Sequence, residues 1–226
     1  MNTTISSPIV EQTADGSATL YVPTLDEHYH SVKGALTEAQ HVYIDCALRH
    51  RASTLHEARP LRVLEIGLGT GLNAALTAKT ANQSLTVHYF AIEKYPVAPE
   101  LVAQLDYKKY ADPQMMSDIH QATWDADVTI LPYFCLHKIG GDLLTHPLPP
   151  QIDVVYFDAF APEKQPEMWS EAIFQRIFET MAPQGVLTTY CAKGLIRRLL
   201  RSVGFCVERL AGPIGGKREI LRATKM

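Results

Sequence analysis

The larger part of the chain alternates nearly continuous apolar runs with segments of helical periodicity. Such runs predict strands that are covered on both faces, as in a parallel sheet. They lie at 61–67, 84–93, 134–142, 152–160, 185–192, 205–212 and 217–224. Seven strands alternating with helices indicate an α/β protein with a mostly parallel, doubly wound sheet.

The segments between the apolar runs predict the helices. Helical spacing covers 72–81, 96–110, 166–182 and 194–204. The segment 111–133 indicates only a short helix near 115–123 and an irregular connection. The last two strands are joined too briefly for a crossover helix, so one of them should run antiparallel. A dinucleotide-dependent dehydrogenase usually continues in strand–helix units, so this ending argues against that class.

The N-terminal part has a different pattern of apolar and polar residues. Alternating stretches at 8–12 and 18–22 flank Asp15-Gly16, a dipeptide typical of hairpin turns. A polar loop follows, and then a helical pattern with Thr37 as its expected cap.

Length and composition fit one soluble core domain with a small extension. The chain has 226 residues, of which 46% are hydrophobic and 20% charged. We expect residues 1–58 to form a hairpin and helix extension packed on a core domain of residues 59–226. No apolar run approaches the roughly 20 residues of a membrane helix, and the N-terminus lacks a secretory signal pattern. We therefore expect a cytoplasmic protein without membrane contact.

The cysteines and the net charge argue against several functions for this protein. The cysteines are far apart and form no CxxC pair, which argues against a zinc site or a redox dithiol, and we predict no metal. They are Cys46, Cys135, Cys191 and Cys206. A net charge of −3 weighs against indiscriminate nucleic-acid binding but leaves room for a local basic face.

The first strand of the core runs into a loop with glycines at Gly67, Gly69 and Gly71. A GxGxxG dinucleotide pattern would place its last glycine at Leu72 instead. Glycines let a cofactor approach the backbone closely, and free N–H groups at the next helix start suit a carboxylate. Glu65, directly before the turn, suits an ammonium group and would be a poor neighbour for a pyrophosphate.

Two further acids end the next strands of the predicted sheet. Glu93 ends the second strand, where a carboxylate can accept both hydrogen bonds of a ribose diol. Asp142 ends the third, a position suited to an adenine amino group. Either acid could instead cap a strand end or turn. Together with the glycine loop, including Thr70 and Asn73, they favour S-adenosylmethionine over NAD.

Five stretches and the N-terminal region resemble the methyltransferase part of the MnmC family, which methylates the aminomethyl group of wobble uridine in tRNA. They are EIGLGTGLN at 65–73, FAIEKYP at 90–96, YFDAFAPEKQPEMW at 156–169, YCAKGLIRRLL at 190–200, GKREILRA at 216–223 and DEHYHSVKGALTEAQHVYI at 26–44. The resemblance implies a Rossmann-like class I methyltransferase fold. No second glycine-rich nucleotide loop occurs, so it also implies a stand-alone form without the family's flavin-dependent oxidoreductase domain, acting on tRNA that already carries the aminomethyl group.

Asp158 stands at the mouth of a buried strand and is the expected catalytic residue. A free alkylamine resembles lysine, with a pKa of about 10, whereas methyl transfer needs a neutral lone pair. We expect Asp158 to capture and orient the amine and to hold an N–H while a proton leaves to water or to the carboxylate. Orientation should contribute more than basicity. A loop or helix cap is the alternative.

Aromatic and polar residues around Asp158 are candidates for binding the uridine. Phe160, Met168 or Trp169 could stack on or wall in the uracil, although Trp169 could equally anchor the following helix. Tyr29 and His30 could line the substrate mouth or belong to a hydrogen-bonded loop.

A basic patch could contact phosphates of the tRNA anticodon arm, although an ordinary solvated helix face fits equally well. It comprises Lys193, Arg197, Arg198 and Arg201 near Lys217 and Arg218, with Arg197 and Arg201 on one helix face. Cys191 ends an apolar strand and is interpreted as packing. Two other functions stay open: a polyamine-type aminopropyl transferase, and a cofactor-sensing RNA-binding module without turnover.

Overall fold

The N-terminal hairpin is present, but the following helix begins earlier than predicted. A computed structural model describes residues 7–55, 57–107 and 111–226. Strands β1 (Ile9–Gln12), β2 (Ala18–Val22) and β3 (Glu27–His28) form a small antiparallel sheet. Thr37 is not the helix cap, because the helix starts at Ala35; its N–H and hydroxyl instead donate to Asp15 Oδ2 over 2.9 and 2.8 Å.

Three helical segments follow one another without a break. They are α1 (Ala35–Ala39), a π-helix (Gln40–Arg49) and α2 (His50–Ala52). The π-helix buries one face against the main sheet, with Tyr43, Ile44 and Leu48 at most 1% exposed. π-Helical turns are uncommon and often occur at functional sites.

Within the described residues, the core is an eight-stranded sheet with helices on both faces. Its strands are β4 (Leu61–Ile66), β5 (Val87–Glu93), β6 (Asp127–Leu131), β7 (Phe134–Gly140), β8 (Ile152–Phe157), β9 (Met181–Thr189), β10 (Phe205–Ala211) and β11 (Glu219–Lys225). Its helices are α3 (Leu72–Thr80), α4 (Pro99–Val102), α5 (Pro113–Gln121), a 3₁₀ turn (Pro166–Trp169), α6 (Glu171–Thr180) and α7 (Gly194–Ser202).

The sheet confirms the predicted Rossmann-like α/β architecture, and its strand order shows where the ligand-binding crevice lies. The strand order is β10-β11-β9-β8-β4-β5-β7-β6. β4 pairs in parallel with both β5 and β8, and the chain continues outward from this point in opposite directions. β11 runs antiparallel to β9 and β10, as predicted for the C-terminal pair. Ligands of such sheets bind at the carboxyl ends of the strands where the order reverses.

Two further local predictions were wrong. The sheet has an eighth strand, β6, which pairs antiparallel with β7 at the edge; its half-exposed positions lack the apolar run that marked the other strands. The helix expected over 96–110 is only α4, which buries no side chain in the part that the structure describes. Without a buried face, a short helix has little to stabilise it. Residues 108–110 lie outside the described residues.

A buried ion cluster joins the extension to the core. Asp153 on β8 is fully buried and accepts hydrogen bonds from Arg51 Nη2 at 3.2 Å and from Arg59 Nη1 at 2.6 Å. The Arg62 backbone N–H donates to the same carboxylate over 3.0 Å. The division of the chain into two parts at residues 58 and 59 stays a prediction.

Among the described residues, no helix combines the length and the apolar character needed to span a membrane.

Candidate active site

The glycine loop after β4 is shaped by left-handed backbone and by close neighbours. Gly67, Gly69 and Gly71 have φ angles of 86°, 51° and 75°, which side-chain-bearing residues rarely adopt. A Cβ on Gly69 would lie 2.9 Å from the Tyr29 ring, and one on Gly71 would lie 3.0 Å from His120 Nε2. The backbone conformation therefore favours glycine at all three positions, and the close neighbours add a steric reason at Gly69 and Gly71.

A first cavity opens over this loop at the carboxyl ends of β4, β5 and β8, and we call it the cofactor cavity. Its walls bring together all the predicted cofactor-contacting positions except Gly71: Glu65, Gly67, Gly69, Thr70, Asn73, Glu93 and Asp142. Gly71 stands beside them as the residue before α3. The glycine loop and the acids at the strand ends in the sequence thus located this group of residues.

Two buried acceptors in the cofactor cavity fit a cationic group. Glu65 and Asn73 are 1% and 3% exposed, and Glu65 Oε2 and Asn73 Oδ1 have no hydrogen-bond partner within the described part of the chain. Burial raises the pKa of Glu65 well above its ordinary value, against smaller opposite effects of Tyr89 and Asn73. A ligand ammonium would supply the missing donors and favour the ionised carboxylate.

Glu93 and Asp142 line the same cavity and also hold local backbone. Glu93 accepts from the Gly69 N–H at 3.1 Å and from the Tyr95 N–H at 2.8 Å, and burial raises its pKa. Asp142 pairs with Lys94 at 2.8 Å and accepts from a following backbone N–H, and the Lys94 ammonium lowers its pKa. The capping and ligand-binding interpretations are therefore compatible, because a carboxylate oxygen can accept more than one hydrogen bond.

A second cavity meets the first at Asp158, and we call it the acceptor cavity. Tyr29, His30, Asp158, Ala159 and Phe160 line both cavities and so form a common wall. Asp158 follows the last residue of β8, as the sequence predicted. A group bound in either cavity can approach this carboxylate.

Both oxygens of Asp158 are held by protein donors. The Tyr43 hydroxyl donates to Oδ1 over 2.6 Å, and Asn73 Nδ2 donates to Oδ2 over 2.9 Å. Burial raises the pKa of Asp158 to about 6, and the hydrogen bonds from Tyr43 and Asn73 act in the opposite direction. The side chain is therefore ionised at neutral pH and fixed in orientation.

Tyr29, His30 and Phe160 form the remainder of the common wall. Tyr29 and Phe160 pack edge to face, with ring centroids 5.1 Å apart. His30 contacts Thr19 Oγ1 through Nδ1 at 3.2 Å and Thr70 Oγ1 through Nε2 at 3.4 Å. Burial lowers the His30 pKa to about 4, so the ring is neutral. His30 thus both lines the cavities and connects the extension to the glycine loop.

Of the two roles considered for Trp169, the structure favours that of a core anchor. Trp169 is 4% exposed, packs on Phe157 with centroids 4.9 Å apart, and donates from Nε1 to the Phe160 carbonyl over 2.7 Å. It lines neither cavity, so it anchors the wall from behind rather than stacking on a base. Met168 lines the cofactor cavity and is not among the residues of the acceptor cavity.

The arginines of α7 also lie away from the cavities. Neither Arg197 nor Arg201 lines them, and Arg201 donates to the Val207 carbonyl over 3.2 Å. The basic residues that do line the acceptor cavity are Lys193, Lys217 and Arg218. A tRNA contact by the α7 arginines stays a prediction.

Sequence reasoning missed Tyr43 and Glu38 as site residues. Glu38 is 7% exposed, lines the acceptor cavity, accepts from the Ser31 N–H at 2.9 Å and pairs with Lys217 at 3.6 Å. Tyr43 lies in the helical pattern that follows the N-terminal polar loop, and no other feature of the sequence marked it. Both lie within the DEHYHSVKGALTEAQHVYI stretch, which was the one available signal. The distance in sequence hid the contact of Tyr43 with Asp158 and the place of Glu38 in the same cavity.

Two features bear on thiol and metal chemistry. Cys191 is 4% exposed, and burial raises its pKa, in line with packing rather than a reactive thiolate. His88, Asp127 and Cys135 have potential ligand atoms within 4.8 Å of one another. They lie on β5, β6 and β7 and line neither the cofactor cavity nor the acceptor cavity. The absence of a metal requirement stays a prediction.

Comparison with known proteins identifies the class. Residues 102–226 match a family described as S-adenosyl-L-methionine-dependent methyltransferase. The chain therefore belongs to this family, and S-adenosylmethionine is its cofactor. The fit is physical as well, because the cofactor cavity offers acidic acceptors for an ammonium and glycines for close backbone approach.

More particular similarity is to the MnmC proteins. The chain is 33% identical over 212 residues to the tRNA 5-methylaminomethyl-2-thiouridine biosynthesis bifunctional protein MnmC of Pseudomonas fluorescens, covering 87% of this chain and 32% of that protein. The corresponding protein of Cupriavidus necator is 32% identical, with 90% and 32% covered. The chain thus spans about a third of the length of these relatives.

Solved structures agree with this placement. MNMC2 from Aquifex aeolicus superposes with a TM-score of 0.75 at 26% identity, covering 98% of this chain and 72% of that one. Spermidine synthase from Thermotoga maritima gives a TM-score of 0.55 at 16% identity, covering 96% and 72%. The second likeness is one of fold alone, and the aminopropyl transferase alternative is not favoured.

Proposed function

We propose that this enzyme transfers a methyl group from S-adenosylmethionine to the nitrogen of a 5-aminomethyl group on the wobble uridine of tRNA, giving 5-methylaminomethyluridine or its 2-thio form. The observation that carries the proposal is the position of Asp158, an oriented carboxylate in the wall common to the cofactor and acceptor cavities. The similarity to MnmC proteins supports the choice of substrate. A tRNA substrate places the reaction in the cytoplasm.

The acceptor cavity has the charges that an aminomethyl nucleotide requires. Asp158 and the buried Glu38 are acids that attract the amine, whereas Lys193, Lys217 and Arg218 supply positive charge that suits phosphate groups. Glu38 and Lys217 are paired, as are Glu163 and Lys193. Phe160 and Tyr29 offer aromatic surfaces beside these acids for a base. The expected contact is with the anticodon arm, where the wobble nucleotide lies.

Asp158 acts mainly by orienting the amine. When bound, S-adenosylmethionine supplies an electrophilic methyl group on a positively charged sulfur. The incoming amine arrives mostly protonated, and burial beside a cation favours loss of that proton. Asp158 accepts one N–H of the amine, while Tyr43 and Asn73 keep its oxygens in place. With a pKa of about 6, it holds a proton only weakly at neutral pH, so water takes up the released proton.

The test measures cofactor-site binding and methyl transfer separately. Asp158→Asn should bind S-adenosylhomocysteine with little change but lose about 100-fold or more in single-turnover methylation of aminomethyl tRNA, the size expected for a general acid–base or orienting group. Asp45→Asn, in an exposed ion pair with Arg49, is the matched control and should retain activity.

Nucleoside mass spectrometry of tRNA from cells lacking the protein should show accumulation of the unmethylated aminomethyl nucleoside. Methylation at the normal rate by Asp158→Asn would remove the catalytic role of this carboxylate. Wild-type protein that binds the RNA and the cofactor but never transfers the methyl group would indicate a binding module instead.

A further inference from the structure

Asn73 lies between the two carboxylates that serve the two cavities. It is the second residue of α3 and is 3% exposed. Its Nδ2 donates to Asp158 Oδ2 over 2.9 Å. Glu65 is the last but one residue of β4 and lines the same cavity, and a side-chain hydrogen bond with Asn73 is one of the smaller effects that lower its pKa against burial. One short side chain is thus in reach of both acids.

The unsatisfied atoms of this cluster belong to residues that line the cofactor cavity. Asn73 Oδ1 and Glu65 Oε2 are both buried and have no hydrogen-bond partner among the described residues. Both residues line the cofactor cavity. An ammonium has three N–H donors and can satisfy two acceptors at once. The amino-acid tail of S-adenosylmethionine carries such a group.

We propose that Asn73 is a positioning residue that links the cofactor's ammonium to the orientation of Asp158. The Asp158 carboxylate can accept only from the nitrogen end of the amide, because the oxygen end would oppose it. This arrangement leaves Oδ1 as a buried acceptor, which is costly until a donor arrives. An ammonium in the cofactor cavity stabilises the rotamer that holds Asp158 and thereby shifts the population toward it.

This link predicts positive coupling between the two ligands. Bound cofactor favours the oriented Asp158, so the amine acceptor binds more tightly, and a bound acceptor favours the cofactor in the same way. The identity of the acceptor rests on the proposed function, whereas the link between the tail and Asp158 does not. It can therefore be tested without RNA.

The test compares two cofactor fragments by the titration of Asp158. S-adenosylhomocysteine has the amino-acid tail, methylthioadenosine lacks it, and neither supports turnover. With ¹³C-aspartate-labelled protein, and Asp158→Asn for assignment, the tailed ligand should lower the pKa of Asp158 by about 0.3 units more than the tailless one, because hydrogen bonds in a chain strengthen one another. In Asn73→Ala this difference should fall to less than half. Asn82→Ala, an exposed asparagine, should retain it.

A reciprocal measurement does not need the Asn73 variant to fold well. Because coupling is reciprocal, the ratio of the two ligand affinities should rise about twofold with pH through 6 in the wild type, beyond the change seen in Asp158→Asn. Equal responses to both ligands in the wild type, or a full difference in well-folded Asn73→Ala, would overturn the link. If the link is present but aminomethyl RNA does not bind, the proposed function fails and the positioning role stands.

Discussion

Removing the Tyr43 hydroxyl should shift the acidic side of the pH–activity profile to higher pH. Tyr43 donates to Asp158 Oδ1 over 2.6 Å and lowers the pKa of that carboxylate. Tyr43→Phe keeps the buried ring that packs against Tyr156, with centroids 5.1 Å apart, and removes only the donor. The variant therefore isolates one hydrogen bond to a charged group.

The size of the shift follows from the strength of such a bond. A hydrogen bond to a charged group contributes about 1.5–3 kcal/mol, and one pKa unit corresponds to about 1.36 kcal/mol, so the pKa should rise by about 1–2 units. From its starting value of about 6, a rise of about 1.5 units leaves roughly a tenth of Asp158 ionised at about pH 6.5. Activity should then fall about eightfold at that pH and almost not at all at about pH 8.5.

The assay is the pH dependence of kcat/KM for aminomethyl tRNA, expressed as the ratio of wild type to variant. The ratio cancels the titration of the amine itself and should grow steadily as the pH falls. Tyr156→Phe is the control, because it removes a neighbouring buried hydroxyl that contacts Thr77 Oγ1 at 3.1 Å and not Asp158. A ratio that stays constant across the pH range would refute the assigned role of the Tyr43 hydrogen bond.

Three further changes have defined outcomes. Asp153→Ala leaves the buried Arg51 without its carboxylate and should lower the free energy of unfolding by about 3–5 kcal/mol in urea titrations, far more than loss of an exposed pair on the π-helix. Gly69→Ala should reduce S-adenosylhomocysteine affinity by at least tenfold in calorimetry, because its Cβ would press on the neighbouring tyrosine ring from a strained backbone. Replacing Arg197 and Arg201 together by alanine should weaken tRNA binding and reduce its salt dependence while sparing cofactor binding; unchanged tRNA affinity would dismiss them as contacts.

The sequence predicted what depends on local pattern. Apolar runs indicated the parallel strands, and acids at the strand ends, Glu65, Glu93 and Asp158, converge because parallel strands bring their carboxyl ends to one edge. The edge strand β6 was missed because a half-exposed strand lacks a continuous apolar run. Tyr43 was missed because its partner lies 115 residues away, and only the packing of the extension brings them together.

Trp169 shows a second limit of prediction from sequence. An aromatic residue in a motif next to a catalytic acid suggests a stacking surface, but its ring is committed to the core and only its N–H reaches toward the site. Sequence gives the residue type, whereas the direction of the side chain is set by the packing of neighbouring elements.

The common wall between the two cavities has a practical consequence for inhibitor chemistry. This wall is formed by Tyr29, His30, Asp158, Ala159 and Phe160. A single compound that joins an adenosine unit to an aminomethyl-pyrimidine through a short tether would cross the wall and occupy both the cofactor cavity and the acceptor cavity. Its second half would then bind at an effective concentration on the order of millimolar, without any new contact. Enzymes that bind only the nucleoside half would not gain this advantage, so selectivity would come from the tether.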